Sequence, residues 1–170
     1  PELVAQNSEF LRPLVGVRPV DGHFLHFCAF EMGRGPDGNW WVLGERTQAP
    51  SGAGFALENR VATTRALSDI YGGMNVHRLA GFFRDFRDTL FAQARRDGGR
   101  VGILTPGQLN ETYFEHAYIA RYLGLMLLEG EDLVVEDGQV LVRTVAGLRP
   151  VSVLWRRMDA DFADPLELFQ

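Results

Sequence analysis

The chain opens on a short mixed stretch, residues 2–15 (ELVAQNSEFLRPLV), which predicts a helix ended near Pro13. Two nearly continuous apolar or aromatic runs follow, residues 23–32 and 40–45, and each predicts a strand. Between them Pro36-Asp37-Gly38 supplies turn chemistry, so the strands are expected to pair antiparallel. Trp40, Trp41, Val42 and Leu43 suit a pleated, largely buried surface. The pattern then changes period. Residues 57–71 read as a helix closed by Gly72-Gly73, and Val76, Leu79, Phe83, Phe86 and Leu90 step by three and four along a helix over 76–96. Asp97-Gly98-Gly99 ends that helix and marks the expected domain boundary.

Residues 101–105 (VGILT) are apolar almost throughout, as in a parallel strand covered on both faces. Thr112-x-x-Glu115 has the form of a capping box and opens a helix that Gly124 stops. A strand over 126–129 completes a βαβ unit, whose first loop is where such sheets bind ligands. A hairpin about Glu136-Asp137-Gly138-Gln139 and a last strand over 151–155 finish an α/β chain in two domains, 1–97 and 98–170.

Composition narrows the functional classes. A net charge of −5 and a pI near 5.4 argue against a nucleic-acid or membrane surface. No apolar run is long enough to span a bilayer. The single Cys28 fits a reducing cytoplasm and, within FLHFCAF, reads as a buried, inert thiol. All 17 basic residues are arginine, so chemistry that needs a lysine is not complete within this chain. With no initial methionine and a charged motif at its end, the sequence reads as a piece of a longer protein.

Three polar clusters fall at strand ends. The first joins Glu31, Glu45 and Arg46 with the loop Ser51, Gly52, Ala53, Gly54 and with Glu58, Asn59 and Arg60. Its carboxylates could share Mg²⁺ and its loop N–H groups could face an anion, or it is a salt-bridge network beside a tight turn. The second is Asn110, Glu111, Glu115 and His116, an anion or carboxylate site behind Thr105-Pro106-Gly107, or a polar capping network. Zinc fits it poorly, since no HExxH-like spacing exists. The third is Arg156, Arg157, Asp159 and Asp161, either a bidentate anion clamp or an internal ion-pair cluster. His23, His26 and His77 read as structural or surface residues, and neither a Ser/His/Asp arrangement nor a GxxxxGK[ST] motif is legible.

The stretches WWVLGERTQAPSGAGFALENR, GILTPGQLNETYFEHAYIARYLG, LLEGEDLVVEDGQV and LWRRMDADFADPLEL together resemble the circularly permuted ATP-grasp family, related to glutathionylspermidine-synthase-like ligases. The resemblance implies a partial ATP-grasp lobe (an antiparallel hairpin plus helices) joined to a Rossmann-like βαβ pre-ATP-grasp domain. It implies an ATP-dependent carboxylate–amine or carboxylate–thiol ligase acting through an acyl phosphate. Small-molecule or peptide carboxylates and amines would be its substrates, and the remainder of its own chain would complete the ATP site. On that reading Glu31 and Glu45 ligate Mg²⁺. Ser51, Gly52, Ala53, Gly54, Asn59 and Arg60 face ATP. Arg46, Arg156 and Arg157 act in catalysis, and Asn110, Glu115, His116 and Asp159 line the substrate cleft. The family's E-x-N positions fall on Gly44 and Arg46, a departure shared with a subgroup reading D-R-T-Q-A-P-S-G. That departure favours the alternative, a non-catalytic ATP-grasp-derived binding or scaffold module. The chain alone is expected to be inactive and to bind Mg²⁺-ATP weakly or not at all.

Overall fold

The computed structural model describes residues 2–7, 10–19, 21–94 and 99–163. Contacts divide it into two units, one made of residues up to Gln48 with those from Asp159 onward, the other running from Ala49 to Met158. The helices expected to belong with the hairpin are therefore grouped with the second sheet. Asp97 and Gly98, where the boundary was expected, lie outside the described residues, as does Asp164.

The first unit opens with helix α1 (Glu2–Ala5) and a 3-10 turn at Arg12–Leu14, so the expected helix over 2–15 forms only in fragments. Strands β1 (Ala29–Arg34) and β2 (Trp40–Arg46) make the expected antiparallel hairpin. β1 starts later than the apolar run predicts: residues 23–28 are bends and irregular chain, and Cys28 is exposed rather than buried. The apolar side chains of the hairpin are also exposed, Trp40 to 64% and Leu43 to 72%. Two strands pairing only with each other cannot cover both of their faces. In the same unit Gln48 Oε1 accepts a hydrogen bond from the Ala160 N–H at 2.8 Å, tying the chain after β2 to the turn at Ala160–Phe162.

The second unit carries α2 (Ala53–Ala66), α3 (Ser68–Tyr71), α4 (Ala80–Ala94), β3 (Arg100–Leu104), α5 (Tyr113–Leu123), β4 (Met126–Leu128), β5 (Leu133–Glu136), β6 (Gln139–Thr144) and β7 (Gly147–Arg156). The helix expected over 57–71 is broken at Leu67, and α4 begins only at Ala80, leaving Val76 and Leu79 ahead of it. Phe83, Phe86, Leu90 and Ala94 form its buried face, as their spacing requires. The sheet order is β4-β3-β7-β6-β5, with β3 parallel to both neighbours and β5-β6-β7 antiparallel. β3-α5-β4 is the expected βαβ unit, set in a mixed rather than wholly parallel sheet. Val101, Ile103 and Leu104 lie buried at the sheet's centre. The β5–β6 loop is the two-residue Asp137-Gly138 turn, both residues at positive φ, which suits the twist of a hairpin. Trp155 of β7 meets the edge of Phe86 at 4.7 Å between ring centroids, which locks α4 onto the sheet.

Candidate functional site

The N-terminus of α5 and the ends of β3 and β7 meet at a buried polar centre within the second unit. Glu115 sits in the first turn of α5 and is 0% exposed. Its Oε2 accepts hydrogen bonds from the Gly52 N–H at 2.6 Å and the Gly54 N–H at 3.0 Å. Its Oε1 accepts one from Arg157 Nη2 at 3.3 Å, and the same Nη2 donates to the Pro50 carbonyl at 2.6 Å. Arg157 is 4% exposed and lies 4.9 Å from the centroid of the Trp155 ring. Burial pulls its guanidinium pKa below the ordinary value, and the Glu115 carboxylate opposes that shift. One carboxylate and one guanidinium thus pin both sides of the loop that leads into α2.

The loop's geometry explains its composition. Gly52 has φ 115°, a left-handed conformation that side chains rarely adopt. A Cβ on Gly54 would stand 2.7 Å from Glu115 Cγ and 3.2 Å from the Glu115 backbone. Gly54 therefore lets α2 approach α5 closely enough for its N–H to reach the carboxylate. Gly54→Ala is expected to cost about 1–3 kcal/mol through overpacking, read as a lower urea midpoint with an unchanged slope. An unaltered midpoint would show that the close approach is dispensable.

A second network runs behind Glu115. His116 is 1% exposed, with Nδ1 2.9 Å from Thr105 Oγ1 and Nε2 3.2 Å from Thr112 Oγ1. Thr112 Oγ1 donates to Asn110 Oδ1, which also accepts the Thr112 N–H at 2.9 Å. With the Thr112 proton spent on Asn110, Thr112 accepts from His116 Nε2–H, and His116 Nδ1 accepts from Thr105. The neutral imidazole satisfies the whole chain. Burial, then the Arg157 charge, lowers the His116 pKa to about 4.

Asn110 and His116 share one internal polar network, and Glu115, in the other, reaches across to the loop instead of closing a capping box with Thr112, whose side chain makes no cap bond. Gly52 and Gly54, read as anion donors, already give their N–H groups to Glu115. The sequence had placed the loop, Glu115 and Arg157 in three separate clusters; the fold makes them one. Pro50 and Trp155 are members that the sequence assigns to no cluster, and Thr105 and Thr112, expected before a ligand loop and in a capping box, hydrogen-bond to His116 instead. Arg156 and Arg157 do not act as a pair: Arg157 is committed to Glu115 and Pro50, while Arg156 ends β7 in a half-buried position. Asn59 is exposed on α2, and Arg60 ties that helix to Tyr71 Oη and the His77 carbonyl, at 3.3 and 2.9 Å. Ser51 is exposed, and Ala53 is the first residue of α2.

In the first unit Glu31 Oε1 accepts from Arg46 Nε at 2.8 Å and also pairs with Arg46 Nη2. Glu31 stands opposite Gly44, whereas Glu45 stands opposite Phe30, so the two glutamates occupy different faces of the hairpin. The irregularity in register falls between Glu31 and Met32 and leaves that assignment unchanged. Glu31 and Glu45 therefore do not converge on one ion, and no group of three or more His, Cys, Asp or Glu among the described residues is placed to hold a metal. Asp159 is exposed in this unit. No helix among the described residues is long and apolar enough to cross a membrane.

Comparison with known proteins adds the wider setting. The family model for circularly permuted ATP-grasp type 2 matches residues 1–170. An uncharacterized protein of Synechocystis is 36% identical over 99% of this chain and 35% of its own length. Two uncharacterized proteins of Mycobacterium tuberculosis are similar. One is 36% identical over 99% of this chain and 19% of its own length. The other is 34% identical over 97% and 30%. The chain thus spans from about a fifth to a third of the length of the curated relatives it matches.

Proposed function

Because the chain belongs to the circularly permuted ATP-grasp type 2 family, we propose that it is one portion of an ATP-dependent ligase of the glutathionylspermidine-synthase-like kind. Such an enzyme joins a small-molecule or peptide carboxylate to an amine or thiol through an acyl phosphate. The observation that carries this reading is the family match across the whole chain. The sheet-bearing portion takes the part of the Rossmann-like pre-ATP-grasp domain. Members of the ATP-grasp family generally bind ATP and Mg²⁺. The glycine loop and the hairpin glutamate do not by themselves fit either group. The Gly52 and Gly54 N–H groups are satisfied by Glu115, and Glu31 is neutralised by Arg46. The proposed contribution of this chain is therefore positional: Glu115 and Arg157 hold the start of α2 rigid, as a preorganised site requires of its supporting residues.

A second reading is a non-catalytic ATP-grasp-derived binding or scaffold module. The Glu31–Arg46 pair favours it, since it places a cation where a metal-ligating family member carries none. The two readings separate when the natural protein is incubated with ATP, Mg²⁺, hydroxylamine and a pool of amino-acid and peptide carboxylates. A ligase is expected to release ADP and to form a hydroxamate in equal amount, by mass spectrometry. ATP binding without ADP release across the pool would sink the ligase reading and leave the module.

A further inference from the structure

We propose that the corner formed by α2, α3 and the start of α4 is a binding site for a small organic anion: a carboxylate or phosphate carried on an apolar or aromatic body. A cavity of about 330 Å³ opens there, within the range of small-molecule sites. Arg60, Arg65 and Arg78 line it, together with Tyr71, and no carboxylate is among its lining residues. Leu57 and Leu79 provide an apolar wall. Three cations facing one cavity without a counter-charge repel one another, and an oxyanion between them relieves that repulsion while accepting charge-assisted hydrogen bonds.

The site is partly preorganised. Arg60 Nη1 donates to Tyr71 Oη at 3.3 Å and to the His77 carbonyl at 2.9 Å, which fixes one guanidinium against α3 and the chain before α4. The Tyr71 phenol is made more acidic by that hydrogen bond, and the Arg60 and Arg78 charges add to the effect, as expected of a positive local field. Among the described residues neither Arg65 nor Arg78 is held in an ion pair, so both are available to a ligand. The apolar wall selects against bare inorganic ions, and the arginines select against neutral hydrophobes.

The site shares no residue with the Glu115 centre, and it stands whether or not ligase activity is found. Its test uses phenyl phosphate as probe, with inorganic phosphate and benzyl alcohol as the anionic and apolar halves. Calorimetry on the natural protein is expected to show phenyl phosphate binding more tightly than either half, with an affinity that falls as salt rises. Arg65→Gln with Arg78→Gln, both at exposed positions, is expected to weaken it at least about tenfold while leaving the circular dichroism and the melting temperature unchanged. No binding, binding no tighter than that of either half, or binding unaffected by the double substitution would each overturn the proposal.

Discussion

Arg157→Met is expected to destabilise the protein by about 3–5 kcal/mol, because it leaves the Glu115 carboxylate buried without its counter-charge. For a chain of this size that corresponds to a fall in melting temperature of about 6–20 °C. The two partners are buried together, 2% and 0% exposed at the side chain, so solvent screens the pair little. The Pro50 carbonyl would lose its donor as well. A structural clamp makes a further demand. The double variant Glu115→Gln with Arg157→Met is expected to cost less than the two single changes summed, since the neutral amide no longer needs a cation. Hydrogen exchange at Gly52 and Gly54 is expected to accelerate in either single variant, because their N–H groups depend on the carboxylate. A loss below about 1 kcal/mol for Arg157→Met in urea unfolding would mean that the loop is held by something else.

Acidification is expected to remove nearly as much stability through His116. Its pKa lies near 4 in the fold and near 6.5 when the chain is unfolded, so between those values the unfolded state binds the proton and the native state does not. Stability from this group is complete above pH 6.5, declines as the pH falls to 4, and levels off below. The difference is worth roughly 3 kcal/mol. Carboxylates titrate in the lower part of the same window, so the measurement is the difference between the natural protein and His116→Gln. The variant's stability is expected to vary less over that range, because its side chain acquires no charge. Parallel pH profiles would show that the buried imidazole contributes nothing to the acid response.

Much of the architecture was legible from local pattern. Phe83, Phe86 and Leu90 face the core because their spacing puts them on one side of a helix. Pro36-Asp37-Gly38 and Asp137-Gly138 make hairpins because few other residues adopt those turns. Gly124, at φ 70°, stops α5 where a left-handed residue is needed. Local pattern misled where burial depends on neighbours that a hairpin does not supply. Trp40, Leu43 and Cys28 look like core residues in sequence and are exposed in the first unit. The break at Leu67 and the late start of α4 at Ala80 likewise have no strong composition signal.

The candidate site divides along the same line. The sequence by itself placed Glu115, His116, Arg157 and the glycine loop among three polar clusters at strand ends, together with Glu31, Glu45, Asn59, Arg156 and Asp159, which the buried centre does not include. It could not say with whom each is paired. Glu115 and Gly52 lie 63 positions apart, and Arg157 and Pro50 lie 107 apart. Such bonds exist only once α5 has packed against α2 and β7 has closed beside β3. The tertiary structure decided that the loop's N–H groups face a carboxylate of their own chain and that His116 is neutral. The reason is the cost of burial: a charge taken out of water must find its partner inside the fold, and which partner is within reach is a property of packing.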